Sequence, residues 1–224
     1  MIIILIRHAE SIKNINKTFS SEGNLEKITE NGIIQTENII KHLETFLKNN
    51  NLKLNNIYAA KSERASATAE VFNQQFNVNI EYCNEFLSIT SDKELLGKSE
   101  EQVKESNPKF IHELSLYRAG LFNAYNYTSV AKVLKDGSYE KQIQNKINEI
   151  YTNNSNQCCI MIMHHSALTA AMINFARIGY NYPKDFYGNV DSDLGNLFLI
   201  KYDQEQCEIL LVNSNPENII DIIL

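Results

Sequence analysis

The stretch Ile2-Ile3-Ile4-Leu5-Ile6 is followed directly by Arg7-His8-Ala9-Glu10-Ser11, and this junction decides how the chain is interpreted. A second apolar run, Ile160-Met161-Ile162-Met163, is followed in the same way by His164-His165-Ser166. Short apolar runs are typical of buried strands in a parallel sheet. Open α/β sheets build their sites where such strands end. The two junctions therefore indicate imidazole chemistry on an anion such as phosphate.

Strand-like and helix-like segments alternate along the 224 residues. Besides the two apolar runs, strands are predicted at Ile57–Ala60, Val78–Tyr82, Leu197–Tyr202 and Glu208–Val212. Helices are predicted at about Gly32–Lys48, after Ser62, at Ser99–Ser106, at Phe110–Tyr117, from Gly137 and after His165. This alternation predicts an α/β three-layer sandwich with a mostly parallel central sheet and helices on both faces. At this length, one domain spanning residues 1–224 is expected.

Three segments carry further expectations. Residues 84–135 show no clean period, and they are predicted to form a helical insertion over the site. The first long helix is predicted to bury the face formed by Ile33, Ile40, Leu43 and Leu47. The apolar tail Ile219–Leu224 is predicted to be an added edge strand or a contact surface.

Charge and cysteine content limit the classes of partner. The formal charge is -6 and the pI is about 5.4, so no global field attracts nucleic acid or anionic lipid. The Ile2–Ile6 run is too short to cross a bilayer and no basic segment precedes it, so neither a membrane contact nor a signal peptide is expected. The cysteines lack metal-ligand spacing and indicate buried apolar residues of a reduced, cytoplasmic protein: Cys83, Cys158, Cys159 and Cys207.

Arg7, His8 and Arg64 are candidate site residues. A neutral imidazole is a competent nucleophile towards phosphorus, and a neighbouring guanidinium can hold phosphate oxygens in a bidentate fork. Arg64 is predicted in the first turn of a helix capped by Ser62, where the dipole disfavours a cation by roughly 0.3–1 kcal/mol unless an anion binds there. The alternative is that Arg7 lies on the surface, that His8 is a hydrogen-bonded residue at the end of a strand, and that Arg64 is solvated.

His164 and His165 lie at a second junction between a strand and a helix, where the dipole again disfavours an imidazolium. Either both rings stay neutral or an anion shares the space. A lone histidine at such a position would be structural more often than functional. A pair at a strand end, in a chain with only five histidines, favours function.

Five motifs together resemble the histidine phosphatase superfamily, which includes the phosphoglycerate mutases. Arg7-His8-Ala9-Glu10-Ser11 with Asn14 resembles the family signature, and the strand ending at His164-His165 is similar to the one that carries its second histidine. The three motifs between them, in the family's order, are Thr29-Glu30-Asn31-Gly32 with Gln35, Arg64-Ala65-Ser66-Ala67-Thr68-Ala69, and Cys83-Asn84-Glu85-Phe86.

The resemblance implies a phosphomonoester hydrolase that works through a phosphohistidine on His8. Its implied catalytic residues are His8, Glu85, His164, Arg7 and Arg64. Glu85 would protonate the leaving oxygen and then activate water. The implied phosphate and substrate contacts are Arg7, Ser11, Asn14, Arg64, His164 and His165. No metal and no cofactor is implied, and the implied partner is a phosphorylated small molecule or a phosphoprotein.

Two assignments within this set remain open. In the family, an apolar residue stands four positions after the second histidine; counting from His164 gives Leu168, whereas counting from His165 gives Thr169. This favours His164, and His165 is then expected to line the pocket and alter substrate choice. Glu85 is preferred as the acid because it follows the third strand, but Glu81, Glu94 and Glu10 compete.

Departures from the family pattern bear on the substrate. Ala60-Lys61-Ser62 replaces the usual Ser-Pro-Leu before the arginine, and the chain has no tryptophan, although the mutases carry tryptophan-containing segments. A phosphoglycerate mutase is therefore the second hypothesis. The third is a non-catalytic module that binds a phosphorylated ligand. The sequence does not determine the oligomeric state.

Overall fold

The computed structural model describes residues 1–19, 26–88, 95, 97–118, 138–154, 157–180, 190 and 192–224. Within these residues, six strands form one sheet in the order β3-β2-β4-β1-β5-β6. Their bounds are β1 Ile2–Arg7, β2 Leu54–Ala60, β3 Asn79–Cys83, β4 Cys158–Met163, β5 Leu197–Tyr202 and β6 Cys207–Ser214. Strands β1 to β4 pair in parallel, whereas β5 runs antiparallel to both β1 and β6. The predicted mostly parallel sheet is confirmed.

Seven α-helices and two 3₁₀ turns lie in the described residues. The helices are α1 Ile12–Asn16, α2 Glu30–Asn49, α3 Glu63–Phe76, α4 Glu100–Ser106, α5 Pro108–Arg118, α6 Ser138–Asn154 and α7 His165–Tyr180. The 3₁₀ turns are Asn84–Phe86 and Pro216–Asp221. None of these helices combines the length and the apolar character that crossing a bilayer requires.

Strands β1 and β4 form the buried centre of the sheet. All six residues of β4 are buried, as are the first five of β1, so both faces of these strands are covered. Helix α3 packs on β2 and β4, and α7 packs on β1 and β6. The two strands are in register from Ile2 opposite Cys158 to Arg7 opposite Met163. Their carboxyl ends therefore lie side by side, and the residues that follow them meet.

Short polar caps set where the helices begin. Ser62 is the N-cap of α3, as predicted, and its hydroxyl accepts a hydrogen bond from the backbone N–H of Ala65. Thr29 caps α2 in the same way by accepting from Gly32. A Cβ atom on Gly32 would lie 2.4 Å from the carbonyl oxygen of Glu10, so only glycine allows α2 to pack this closely on the segment after β1.

The predicted insertion at residues 84–135 is described in part. Helix α4 begins after Ser99, whose side chain and that of Gln102 form a capping box, and α5 follows directly from Pro108. Residues 89–94, 96 and 119–137 lie outside the described residues. The predicted placement of this region over the site therefore stays a prediction.

Two expectations are corrected. Ile33 is 38% exposed, because the buried face of α2 runs instead through Gly32, Thr36, Ile39, Ile40, Leu43, Phe46 and Leu47. The tail does not add an edge strand, because residues Pro216–Asp221 form a 3₁₀ turn that packs on α2, whereas the alternative of a contact surface stays a prediction. Pro216 cannot donate to a sheet ladder, and Asn50 holds the following segment by donating from Nδ2 to the carbonyl oxygen of Ile222 over 2.9 Å.

Candidate active site

The ends of β1 and β4 bring His8 and His164 together. The backbone N–H of His8 donates to the carbonyl oxygen of Met163 over 3.0 Å, and that of His164 donates to the carbonyl oxygen of Phe86. The two imidazole rings are buried, their centroids are 5.0 Å apart, and their planes meet at 65°. Two residues 156 positions apart in the chain therefore form one pair of rings.

Arg64 donates a hydrogen bond to each of these rings. Its Nε donates to His8 Nε2 over 3.0 Å, and its Nη2 donates to His164 Nδ1 over 2.8 Å. Nε and Nη2 form the edge of the guanidinium that grips two oxygens of an oxyanion in a bidentate fork. The first turn of α3 therefore places an anion-binding fork directly at the imidazole pair.

These contacts assign the tautomer of each ring. Arg64 has N–H donors and no acceptor, so His8 Nε2 and His164 Nδ1 must both present lone pairs. The ring proton of His8 is then on Nδ1, which donates to the carbonyl oxygen of Ala9 over 2.9 Å. The ring proton of His164 is on Nε2, which donates to the hydroxyl oxygen of Ser62 over 3.0 Å. His8 therefore directs an unprotonated nitrogen into the site.

Burial and positive neighbours keep both rings neutral. Desolvation is the largest cause that lowers the pKa of His8 well below 6.5, followed by the charges of His164, Arg64 and Arg7. The pKa of His164 is also well below 6.5, first through desolvation and then through Arg64, Lys13 and Arg7. Both imidazoles are therefore neutral at pH 7, and each keeps one nitrogen without a proton, as a nucleophilic nitrogen requires.

These lowered pKa values predict how stability depends on pH. Between the pKa of an unfolded histidine, about 6.5, and the lower pKa of the folded state, the unfolded chain binds more protons. The free energy of unfolding should therefore fall as pH drops below about 6.5, by about 1.4 kcal/mol per pH unit for each ring. Urea unfolding between pH 7.5 and 5.5 measures this slope, and His8→Asn should reduce it. An unchanged slope in that variant would contradict the prediction.

Arg7 and His165 meet at Ser192 rather than at Arg64. Arg7 Nη1 donates to the carbonyl oxygen of Ser192 over 3.0 Å, while His165 Nδ1 lies 2.7 Å from the Ser192 hydroxyl oxygen. Ser192 is buried. Of the two adjacent histidines, His164 contacts Arg64, and His165 shares the partner Ser192 with Arg7. The predicted influence of His165 on substrate choice stays a prediction.

Ser11 and Asn14 contact each other at the start of α1. The Ser11 hydroxyl donates to Asn14 Oδ1 over 2.7 Å, and the Ser11 backbone N–H donates to the same oxygen over 3.0 Å. These bonds order the turn that follows His8. A contact of either residue with phosphate stays a prediction.

Glu85 lies in the 3₁₀ turn directly after β3 and is half-buried. The neighbouring Phe86 carbonyl accepts the backbone hydrogen bond of His164, so this turn borders the imidazole pair. Two of the competing carboxylates are engaged elsewhere: Glu81 accepts from Lys146 Nζ over 2.7 Å, and Glu10 accepts from the Thr29 hydroxyl over 2.7 Å. The third, Glu94, lies outside the described residues.

Four residues at the site were not predicted to belong to it: Glu26, Ser62 as a partner of His164, Thr68 and Ser192. Glu26 is buried, and both of its carboxylate oxygens contact Arg64 Nη1. The Thr68 hydroxyl accepts from the backbone N–H of Ala9 and donates to the carbonyl oxygen of Arg64. Two of them carried a signal: Thr68 is part of the motif that follows Arg64, and Ser62 was predicted as the N-cap before it.

Comparison with known proteins gives a family match and a set of shared folds. The family model described as "Histidine phosphatase superfamily (branch 1)" matches residues 3–215. No curated protein matches the chain.

Solved structures of similar fold match over almost the whole chain. Bacillus stearothermophilus YhfR has a TM-score of 0.73 at 17% identity and covers 95% of this chain and 96% of its own. The alpha-ribazole phosphatase from Shigella flexneri has a TM-score of 0.69 at 16% identity, with 96% of each chain covered. The phosphoserine phosphatase from Entamoeba histolytica, in complex with 3-phosphoglyceric acid, has a TM-score of 0.70 at 15% identity, with 96% of this chain and 97% of its own covered. At these identities the likeness is one of fold.

Proposed function

Because the chain belongs to the histidine phosphatase superfamily, we propose that it hydrolyses a phosphomonoester through a phosphohistidine formed on His8. One observation carries the proposal: Arg64 donates from Nε to the lone pair of His8 and from Nη2 to the lone pair of His164. A buried nucleophile and an anion-binding fork at the same point are what phosphoryl transfer to nitrogen needs.

Substrate binding begins with an exchange of hydrogen bonds at Arg64. A phosphoryl group that enters between the rings accepts the two N–H bonds that His8 and His164 hold in the free protein. Charge-assisted bonds from a guanidinium to phosphate are stronger than those to a neutral imidazole. The exchange therefore frees the Nε2 lone pair of His8 and holds the equatorial oxygens, where charge must be stabilised in the transition state.

The chemical step then proceeds in line. A bond forms between His8 Nε2 and phosphorus while the bond from phosphorus to the leaving oxygen breaks, and Glu85 supplies the proton that this oxygen requires. The Nδ1–H bond to the Ala9 carbonyl oxygen stabilises the positive charge that develops on the ring. In the second half, water gives its proton to Glu85 and attacks phosphorus, which releases phosphate and restores His8.

The proposed substrate class is supported by structures of similar fold whose bound ligands are small, phosphoserine and 3-phosphoglyceric acid among them. We expect a phosphorylated small molecule rather than a phosphoprotein, held in part by Arg7, Ser11, Asn14 and His165.

Four cysteines that are free and buried support a reduced, cytoplasmic setting. The family match over residues 3–215 supports a single domain for the whole chain.

Glu85→Gln tests the proposed acid through the leaving group. The variant should lose about 10²-fold or more in kcat for phenyl phosphate, whose leaving oxygen must be protonated, and much less for p-nitrophenyl phosphate. Steady-state kinetics on the two esters measure the difference. Glu81→Gln is the matched control, because Glu81 is an exposed carboxylate on β3, the strand that precedes Glu85. This variant should retain full activity.

Two outcomes would revise the proposal. Equal losses for both esters in Glu85→Gln would mean that another group donates the proton. Turnover that requires added bisphosphoglycerate would indicate the mutase hypothesis, because a mutase must be primed with a phosphoryl group.

A further inference from the structure

Glu26 lies at the far side of Arg64 from the two histidines. Its side chain is buried and forms an ion pair with Arg64 Nη1 through both carboxylate oxygens. The backbone around Glu26 is tied to the segment after β1, because Ile12 N–H donates to the Lys27 carbonyl oxygen and Ile28 forms a bridge with Ser11. The carboxylate is therefore held in place relative to His8.

The three nitrogens of Arg64 are divided between two tasks. Nη1 contacts Glu26, whereas Nε contacts His8 and Nη2 contacts His164. A guanidinium is planar and rigid, so fixing Nη1 also fixes the direction of the opposite edge. The carboxylate does not contact Nε or Nη2, so the N–H groups of that edge are directed to the two rings and can hold an oxyanion in a fork.

The charge of Arg64 also favours an acidic residue at the position of Glu26. Burial lowers the pKa of Arg64, and the Glu26 carboxylate opposes that shift. Arg7 and Lys13 add further positive charge near the imidazole pair, since both lower the pKa of His164. An acidic partner offsets part of the cost of burying the guanidinium charge.

We propose that Glu26 is a positioning residue, which holds the Nε–Nη2 edge of Arg64 towards His8 and His164 so that the fork is in place before a phosphoryl group arrives. Its consequence for turnover rests on the proposed function, whereas the orientation of Arg64 does not. A different role for the same carboxylate, as an anion that repels phosphate from the site, makes the opposite prediction for affinity.

Glu26→Gln separates these two roles by the sign of one change. If Glu26 positions Arg64, the dissociation constant of inorganic phosphate, measured by titration calorimetry, should rise about tenfold or more, and kcat for p-nitrophenyl phosphate should fall by at least as much. Glu26→Asp keeps the charge and should recover part of both losses. The control Glu30→Gln removes an exposed carboxylate four residues away and should change neither value by more than about twofold. Tighter phosphate binding by Glu26→Gln would overturn the proposal.

Nitrogen NMR of the histidine rings tests the orientation without any ligand. The native protein should show one tautomer per ring, with the proton on Nδ1 of His8 and on Nε2 of His164. Glu26→Gln should mix the tautomers of both rings, whereas Glu30→Gln should leave them unchanged.

The ring signals also distinguish this inference from the proposed function. If the native protein neither binds phosphate nor hydrolyses an ester, but its ring tautomers respond to Glu26→Gln, the positioning role stands and the phosphatase proposal fails. If the native protein binds phosphate while Glu26→Gln alters neither its affinity nor the tautomers, the positioning role is wrong. A thermal melt of each variant verifies that it is folded.

Discussion

Replacement of His8 with asparagine is expected to lower kcat/KM for p-nitrophenyl phosphate by about 10³-fold or more. Asparagine keeps a polar side chain of smaller volume at this buried position, but its amide nitrogen carries no nucleophilic lone pair. The Nε2 lone pair that Arg64 contacts in the native protein is therefore lost, and no phosphoenzyme can form on this residue.

A trapping experiment makes the same prediction visible. The native protein, quenched during turnover of a labelled phosphoester, should carry a label that survives alkali and is lost in acid, as a phosphohistidine does. His8→Asn should carry none. His42→Ala is the matched control, because His42 lies on α2 and its ring Nδ1 hydrogen-bonds within that helix, to the carbonyl oxygen of Asn38. A label that persists in His8→Asn would transfer the nucleophilic role to another residue.

Replacement of Arg64 with lysine is expected to lower kcat/KM by about 10²–10³-fold, although the charge is conserved. An ammonium is a point charge, and it cannot donate to His8 and His164 in fixed directions while it contacts Glu26. The variant therefore loses the fork that holds two equatorial oxygens. The loss should appear both in the inhibition constant of inorganic phosphate and in kcat.

The control for Arg64 is the nearby Lys61→Gln. Lys61 is exposed just before α3, so its removal changes the local charge without touching the imidazole pair, and the activity should stay within about twofold. Full activity in Arg64→Lys would show that positive charge alone is sufficient at this position. It would also remove the reason for a positioning role of Glu26.

Local patterns were enough to predict the elements that carry the site. Ile2–Ile6 and Ile160–Met163 are uninterrupted apolar runs, and only strands covered on both faces tolerate such runs in a soluble sheet. Ser62 before a helical period predicted the start of α3, because an N-cap hydroxyl acts within one turn. The resemblance to the histidine phosphatase superfamily rests on the same segments, and the family match over residues 3–215 confirms it.

The choice between neighbouring residues needed the three-dimensional structure. His164 and His165 follow the same strand, and a count along the chain could only favour one of them. In the structure, His164 contacts Arg64 and Ser62, whereas His165 contacts Ser192. β4 ends at Met163 and α7 begins at His165, so the two histidines lie on either side of the start of a helix and their side chains have different partners.

The burial of Glu26 against Arg64 could not be predicted from the sequence. This residue lies in a polar stretch without helical or strand period, where every carboxylate looks like an ordinary solvated one. Its burial against Arg64 depends on the backbone of Lys27 and Ile28, which pairs with the segment after β1. The predicted burial of Ile33 was wrong for the opposite reason: its apolar character suggested burial, but α2 exposes its side chain to solvent.

The sequence by itself determined the strands of the sheet, the helices other than α1 and the chemical types of the site residues, because each of these depends on residues within a few positions of one another. The family was identified from five such local motifs in the correct order. Only the tertiary structure decided which nitrogen of each imidazole carries the proton, which histidine of the pair meets Arg64, and that Glu26 lies behind the guanidinium. Those properties depend on contacts between segments up to about a hundred residues apart, such as Arg64 and His164. Directional hydrogen bonds between residues so far apart in the sequence form only after the pairing of β1 with β4 has brought the segments together.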